Sequence, residues 1–175
     1  MAQVVTGLIE LVERVDAWRD GRANVAIGVE GASTAGKTML ARQLAGGDEA
    51  FAVSLDCYRI PGVLGPTYGH GVRRTDLLRD LTKLERRFDV VVVEGIALRE
   101  VLGDEWACDR HIYVKRMSSA GVWNDDPELG PPEVPGQEES IQHCVDLWSY
   151  EYHLEYLPHE RADLVFERVE SESAE

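Results

Sequence analysis

Residues 31–38 have the sequence GASTAGKT and lie between a short apolar run at 24–29 and a helical pattern at 38–47. The segment fits the pattern G-x-x-x-x-G-K-[ST], in which glycine lets the backbone wrap closely around phosphate oxygens. The backbone N–H groups and the positive end of the following helix then converge on the anion. A chance match is the weaker explanation, because the strand and the helix that the pattern requires both flank it. The segment therefore predicts a phosphate-binding loop.

The loop supplies a full set of candidate nucleotide-binding residues: Gly31, Ala32, Ser33, Thr34, Ala35, Gly36, Lys37 and Thr38. Lys37 is one of only three lysines in the chain. Its ammonium group would reach the β- and γ-phosphates, and the Thr38 hydroxyl would ligate Mg²⁺. We therefore expect Mg²⁺ and a nucleoside triphosphate as ligands, and the loop alone does not distinguish ATP from GTP.

Apolar runs alternate with helical patterns along the chain, and several of the runs are apolar throughout. Such runs are typical of parallel strands that helices cover on both faces. We therefore predict a three-layer α/β fold with a parallel sheet of about five strands. The predicted strands lie at 24–29, 51–59, 89–98, 111–116 and 161–169.

No internal repeat and no linker divides the sequence, so we predict a single domain over residues 1–175. It would begin with an amphipathic helix within residues 1–21. The proline-rich segment at 116–137 predicts a lid or loop region. The residues at 169–175 predict an acidic tail.

Composition limits the classes of partner. The net charge of −14 disfavours a nucleic-acid polymer, which would need a broad basic surface. No apolar run reaches the length of a membrane span, so we expect a cytoplasmic protein that does not contact a membrane. The three cysteines show no C-x-x-C spacing, which disfavours a zinc site. The sequence leaves open whether the chain is a monomer or a homodimer.

Two acidic residues follow predicted strands, at the edge of a parallel sheet where ligands bind. Asp56 lies near the end of the next predicted strand after the phosphate-binding loop. It could accept the proton of an acceptor hydroxyl. Its alternative role is to cap a turn. Glu94 follows four consecutive valines. Because a buried carboxylate is costly unless it binds something, Glu94 predicts a Mg²⁺ contact through water.

Three segments together resemble the uridine kinase–phosphoribulokinase family of P-loop kinases, including its nicotinamide riboside kinase relatives. They are GASTAGKT at 31–38, LDCYR at 55–59 in place of D-x-F-Y-[KR], and VVVEGIAL at 91–98 in place of V-E-G-[IP]. The resemblance covers most of residues 24–168. It implies a P-loop kinase fold that uses ATP and Mg²⁺, with Lys37 at the phosphates, Asp56 as the base and Tyr58 at the acceptor site.

Further candidates for the acceptor site lie in or beside the glycine-rich segment after Asp56. They are Arg59, Tyr68, His70 and Arg73. For Arg59, pairing with a surface acid is an alternative, and such pairs contribute little. For Tyr68 and His70, an exposed loop position without a role is an equal alternative.

Uridine kinases carry an arginine-rich lid helix after the fourth strand, and here that region is poor in basic residues. Arg116 is the lid candidate that could add positive charge at the phosphates. Trp123 is the second lid candidate, because a tryptophan in a loop there could cover adenine or the acceptor.

These features predict ATP- and Mg²⁺-dependent phosphorylation of a hydroxyl on a small molecule, and they favour a nucleoside or another ribosyl compound. One alternative is a phosphotransferase that acts on an antibiotic or a sugar alcohol. Another is a nucleotide-binding regulatory protein that transfers no phosphate. A GTPase is disfavoured, because Glu94 and Gly95 stand where a GTPase would show D-x-x-G.

Overall fold

The computed structural model describes residues 2–22, 24–63, 65–131 and 141–170. Their six strands form one parallel sheet, which confirms the predicted α/β architecture and adds a strand to the predicted number. The strands are β1 Gln3–Val5, β2 Val25–Glu30, β3 Ala50–Ser54, β4 Val90–Gly95, β5 Arg110–Met117 and β6 Leu164–Val169.

The order of strands across the sheet is β1-β6-β5-β2-β4-β3, and every neighbouring pair is parallel. Strand β2 lies between β4 and β5, so the chain runs first to one side of β2 and then to the other. A crevice forms at such a reversal, outside the carboxyl ends of the strands. The segment that follows β2 is the predicted phosphate-binding loop.

Helices cover both faces of the sheet. They are α1 Leu8–Arg19, α2 Lys37–Leu44, α3 Arg74–Glu85, α4 Leu98–Leu102, α5 Ile141–Tyr156 and α6 Pro158–Arg161. Helices α1 and α2 pack on one face, and α3, α4 and α5 pack on the other. Because side chains alternate along a strand, the four valines of β4 supply two residues to each face.

The first residues differ from the prediction of one helix over 1–21. Gln3–Val5 form an edge strand that pairs with Leu164–Phe166 of β6, and α1 begins only at Leu8. The pairing buries Val5, which carries a β-branched side chain suited to a strand. The predicted amphipathic helix is therefore correct for Leu8–Arg19 and wrong for residues 2–7.

The predicted lid region also contains regular structure. Strand β5 extends to Met117, which forms an antiparallel bridge with Trp123, and a short 3₁₀ helix covers Pro127–Leu129. At the other end, Val169 belongs to β6 rather than to a tail. The remaining parts of both predictions, residues 132–137 and 171–175, lie outside the described residues.

Helix length bears on membrane insertion. The longest helix in the described ranges has 16 residues, whereas a bilayer span needs about 20 apolar ones. No helix there is long and apolar enough to cross a membrane.

Leu81 tests the packing of α3 on the sheet, because its side chain is fully buried in the cluster formed by α3, α4 and α5. We expect Leu81→Ala to lower the free energy of unfolding by about 2–5 kcal/mol, through lost burial and the cavity left behind. Leu154→Ala is the control, since that side chain is 50% exposed. Urea denaturation measures both, and equal effects would contradict this packing.

Candidate active site

The backbone of residues 31–36 forms a tight loop between β2 and α2. Gly36 has φ of 99° and Thr34 has φ of 62°, both in the left-handed region. A Cβ atom on Gly31 would lie 2.6 Å from the carbonyl oxygen of Val114. Glycine is therefore required where the loop passes β5, and the alternation of backbone conformations is typical of an anion-binding nest.

Lys37, the first residue of α2, is buried within this loop. Its side chain is 7% exposed, and Nζ donates a hydrogen bond to the carbonyl oxygen of Ala32 at 2.6 Å. Burial lowers the pKa of Lys37, and the negative charges of Glu94, Asp56 and Asp125 oppose that shift. The ammonium group thus lies at the loop with three carboxylates near enough to influence it.

Thr38 and Glu94 meet beside Lys37. The Thr38 hydroxyl donates to Oε1 of Glu94 at 2.9 Å, and Glu94 is 3% exposed at the end of β4. A hydroxyl and a carboxylate are the oxygen ligands that Mg²⁺ prefers. These two side chains fit a Mg²⁺ site, and they are the pair that would hold the ion.

Asp56 lies on a short 3₁₀ turn, Leu55–Tyr58, that follows β3. The buried hydroxyl of Tyr68 donates to Oδ1 of Asp56 at 2.7 Å. Burial and the nearby charge of Asp56 raise the pKa of Tyr68 well above its ordinary value. The phenol therefore stays protonated at neutral pH and holds one carboxylate oxygen, while Asp56 itself is exposed.

A cavity of about 370 Å³ brings these side chains to one surface. Lys37, Thr38, Asp56 and Glu94, which come from three separate chain segments, all line it. The other residues of its lining are Ser33, Thr34, Gly36, Met39, Gly95, Ile96 and Arg168. The cavity thus combines a candidate anion-binding loop, a candidate metal pair and an exposed carboxylate.

Three of the remaining acceptor-site candidates contact neighbouring segments of the fold instead of the cavity. The Tyr58 hydroxyl donates to Oδ2 of Asp80 at 3.3 Å, and Arg73 donates to the Cys57 carbonyl oxygen at 3.0 Å. His70 is exposed and packs against Gly65. Tyr58, His70 and Arg73 are not among the described residues that line the cavity.

Arg59 stands between two aromatic rings. Its guanidinium carbon lies 4.7 Å from the ring centroid of Tyr68 and 5.4 Å from that of Trp148 on α5. Cation–π contacts of this kind hold a planar guanidinium group in place. Arg59 therefore supports Tyr68, whose hydroxyl contacts Asp56. This role differs from both the acceptor site and the surface ion pair that the sequence suggested for Arg59.

The lid candidate Arg116 lies on the other side of the loop, at the end of β5. Its guanidinium group donates to Oγ1 of Thr34 at 2.8 Å and to Oδ1 of Asp125 at 2.6 Å. Burial raises the pKa of Asp125, and the Arg116 charge opposes that shift. Arg116 and Asp125 border a second cavity of about 460 Å³ that also touches Thr34.

The other lid candidate, Trp123, packs into an aromatic cluster. Its ring makes edge contacts with Tyr113 and His159, at centroid distances of 6.1 Å and 5.1 Å. The Lys115 ammonium group lies 4.2 Å from its ring centroid. Trp123 is not among the described residues that line the two cavities.

Sequence reasoning missed Arg168, on β6, whose Nη1 donates to the Ala35 carbonyl oxygen at 3.0 Å. Arg168 is the Cα partner of Arg116 in the β5–β6 register. No local sequence pattern indicates Arg168 as a site residue. The sequence shows only that it lies near the end of the last predicted strand.

A buried acid, Glu30, ends β2 directly before the loop and was also missed. It is 1% exposed, with Arg99 Nε at 3.3 Å and His111 Nδ1 at 3.4 Å from its Oε2. The Tyr152 hydroxyl donates to its other oxygen. Burial raises the pKa of Glu30, but contacts with His111, Tyr152 and Arg99 outweigh it and leave the pKa below its usual value.

Comparison with known proteins supports the fold rather than a particular activity. No protein-family model matches the chain, and no curated protein is similar to it in sequence. Among solved structures, a possible uridine kinase from Bacillus stearothermophilus has a TM-score of 0.54 and 18% identity, over 90% of this chain and 99% of that chain. A candidate fructose transport system kinase from Silicibacter sp. TM1040 has a TM-score of 0.52 and 16% identity, over 93% and 100%. The chain therefore has a P-loop kinase-like fold.

Glu30→Gln tests the buried network, because it keeps the shape of the side chain and removes the charge that Arg99 and His111 face. We expect the free energy of unfolding at neutral pH to fall by about 3–5 kcal/mol, since Arg99 loses its charged partner. Glu13→Gln on the exposed side of α1 is the control. Urea denaturation at several pH values measures both variants.

The difference between wild type and Glu30→Gln should also depend on pH. The pKa of Glu30 is lower in the folded state than its usual value of 4.5. The stabilisation is therefore complete above that value and is lost as pH falls through the folded pKa. A difference that stays constant on acidification would show that the charge of Glu30 does not stabilise the fold.

Proposed function

We propose that this protein is an ATP- and Mg²⁺-dependent kinase that phosphorylates a hydroxyl group on a small molecule, a nucleoside or another ribosyl compound. The observation that carries the proposal is the single cavity lined by Lys37, Thr38, Asp56 and Glu94. Each of these side chains has a separate task in phosphoryl transfer, and the fold supplies all four at one edge of the sheet.

The loop and Lys37 would hold the phosphates of ATP, and Thr38 and Glu94 would hold Mg²⁺. When bound, the ion neutralises charge on the β- and γ-phosphate oxygens. Asp56 lines the same cavity, so it would be available to an acceptor hydroxyl when ATP is held there. Catalysis of this kind depends on positioning and on charge neutralisation more than on covalent chemistry.

Asp56 would accept the proton from the acceptor hydroxyl as the acceptor oxygen bonds to the γ-phosphorus. The bond between that phosphorus and the β,γ-bridging oxygen breaks, and ADP leaves with its electron pair. The Tyr68 hydroxyl occupies Oδ1 of Asp56, so the second carboxylate oxygen remains to take the proton. Tyr68 is in this scheme a positioning residue for the base.

The class of acceptor is inferred from resemblance to known kinases. Two of the similar structures are described as a possible uridine kinase and a candidate fructose transport system kinase, and their TM-scores are nearly equal. The segments LDCYR and VVVEGIAL favour the ribosyl class, through their resemblance to uridine kinases. A sugar acceptor is the second candidate, which the likeness to the fructose-system protein favours.

The test is consumption of MgATP in the presence of nucleosides, other ribosyl compounds, sugars and aminoglycoside-type alcohols, with products detected by mass. A ribosyl phosphate as the product would support the proposal, and a sugar phosphate would support the second candidate. Tight MgATP binding without any phosphorylated product would instead indicate a nucleotide-binding regulatory protein.

Asp56→Asn tests the assignment of the base. We expect the rate of phosphoryl transfer to fall by about 100-fold or more, because the amide cannot accept the proton, while MgATP binding stays unchanged. Lys37→Ala is the contrasting variant, since it should weaken nucleotide binding itself. Transfer rates and calorimetric titrations separate the two effects, and a normal transfer rate in Asp56→Asn would refute the assignment.

A further inference from the structure

Strand β6 brings a second arginine to the phosphate-binding loop. Arg168 and Arg116 are Cα partners near the ends of two adjacent strands, and each reaches a different part of the loop. Arg168 lies against the backbone of Ala35 and Gly36. Its Nη1 atom donates to the Ala35 carbonyl oxygen, and a Cβ atom on Gly36 would lie 2.9 Å from the same Nη1 atom. The guanidinium group is therefore packed on the loop itself.

The charge of Arg168 has no acidic partner in the part of the chain that the structure describes. Arg116 pairs with Asp125 at 2.6 Å, whereas no described carboxylate oxygen lies within 4.0 Å of the Arg168 nitrogens. The chain has 32 aspartates and glutamates and a net charge of −14, so acidic partners are abundant elsewhere. An arginine left without one beside a phosphate-binding loop keeps its charge and its remaining donors for an anion.

Arg168 also borders the cavity that contains Lys37 and Thr38. We propose that Arg168 binds the α- and β-phosphates of the donor nucleotide, an inference that rests on the proposed function. The backbone of a P-loop cradles those two phosphates, and Arg168 contacts that backbone at Ala35 and Gly36. The contact is thus shared by ATP and ADP and adds affinity in both states.

The test measures the binding of MgADP and of magnesium pyrophosphate by calorimetry at one ionic strength. Charge-assisted hydrogen bonds are strong, so we expect Arg168→Ala to lower the affinity for each ligand by about tenfold or more. The two affinities should fall to a similar extent. Arg168→Lys keeps the charge and should recover part of the affinity. Arg42→Ala is the matched control, because it removes one exposed arginine from the last turn of α2.

Each outcome decides between separate claims. If the wild type binds neither ligand, the proposed kinase function and this inference both fail. If the wild type binds both and Arg168→Ala binds them equally well, the function stands and the role of Arg168 is refuted. If Arg168→Ala weakens the binding of MgADP but not of magnesium pyrophosphate, Arg168 contacts the nucleoside, and the proposed phosphate contact is refuted. A lowered melting temperature, with no recovery in Arg168→Lys, would show a structural role instead.

Discussion

The in-register parallel pairing of β2 with β4 and β5 is the constraint on which the site depends. Val29 pairs with Glu94 and Glu30 pairs with Gly95, so the ends of β2 and β4 meet where the loop begins, while β5 pairs with Glu30 at Tyr113 and runs on to Met117. Since the strands are parallel, every segment that leaves a carboxyl end emerges at the same edge. Residues distant in sequence thus reach one cavity without any long flexible connection. A shift of one residue in this register would turn Glu94 to the other face of the sheet.

Two buried acids at this edge differ in how their charges are compensated. Glu30 faces Arg99, His111 and the Tyr152 hydroxyl, so its charge is balanced by side chains of the fold. Glu94 accepts a hydrogen bond from the Thr38 hydroxyl and lies near the Lys37 ammonium group. Burying a carboxylate is costly unless it is paired or binds a metal. Glu30 therefore supports the strand that leads to the loop, whereas Glu94 lines the cavity, where we propose that it holds Mg²⁺.

The parts of the fold that the sequence predicts well depend on local patterns. Residues 31–36 form a loop because of their own glycines, and the four valines of β4 identify a doubly covered strand whatever lies beside it. Strand β1 escaped prediction because it exists only through pairing with β6, at the far end of the chain. Arg168 escaped for the same reason, since its place beside Ala35 follows from a register that no local pattern reveals. The Tyr68–Asp56 contact could not be predicted, because it depends on the course of a glycine-rich loop, and composition does not specify that course.

The distribution of positive charge explains how so acidic a chain could bind a polyphosphate. With a net charge of −14, the surface as a whole repels such a ligand, so attraction has to be concentrated at the loop. Lys37 and Arg168 lie on α2 and β6, which are regular elements of the fold, and not in the lid region. A charge held on a rigid strand needs no ordering on binding, in contrast to a charge on a lid that must first close. A lid region poor in arginine is thus compatible with the proposed phosphate binding, because Arg168 on the sheet would provide the second cation.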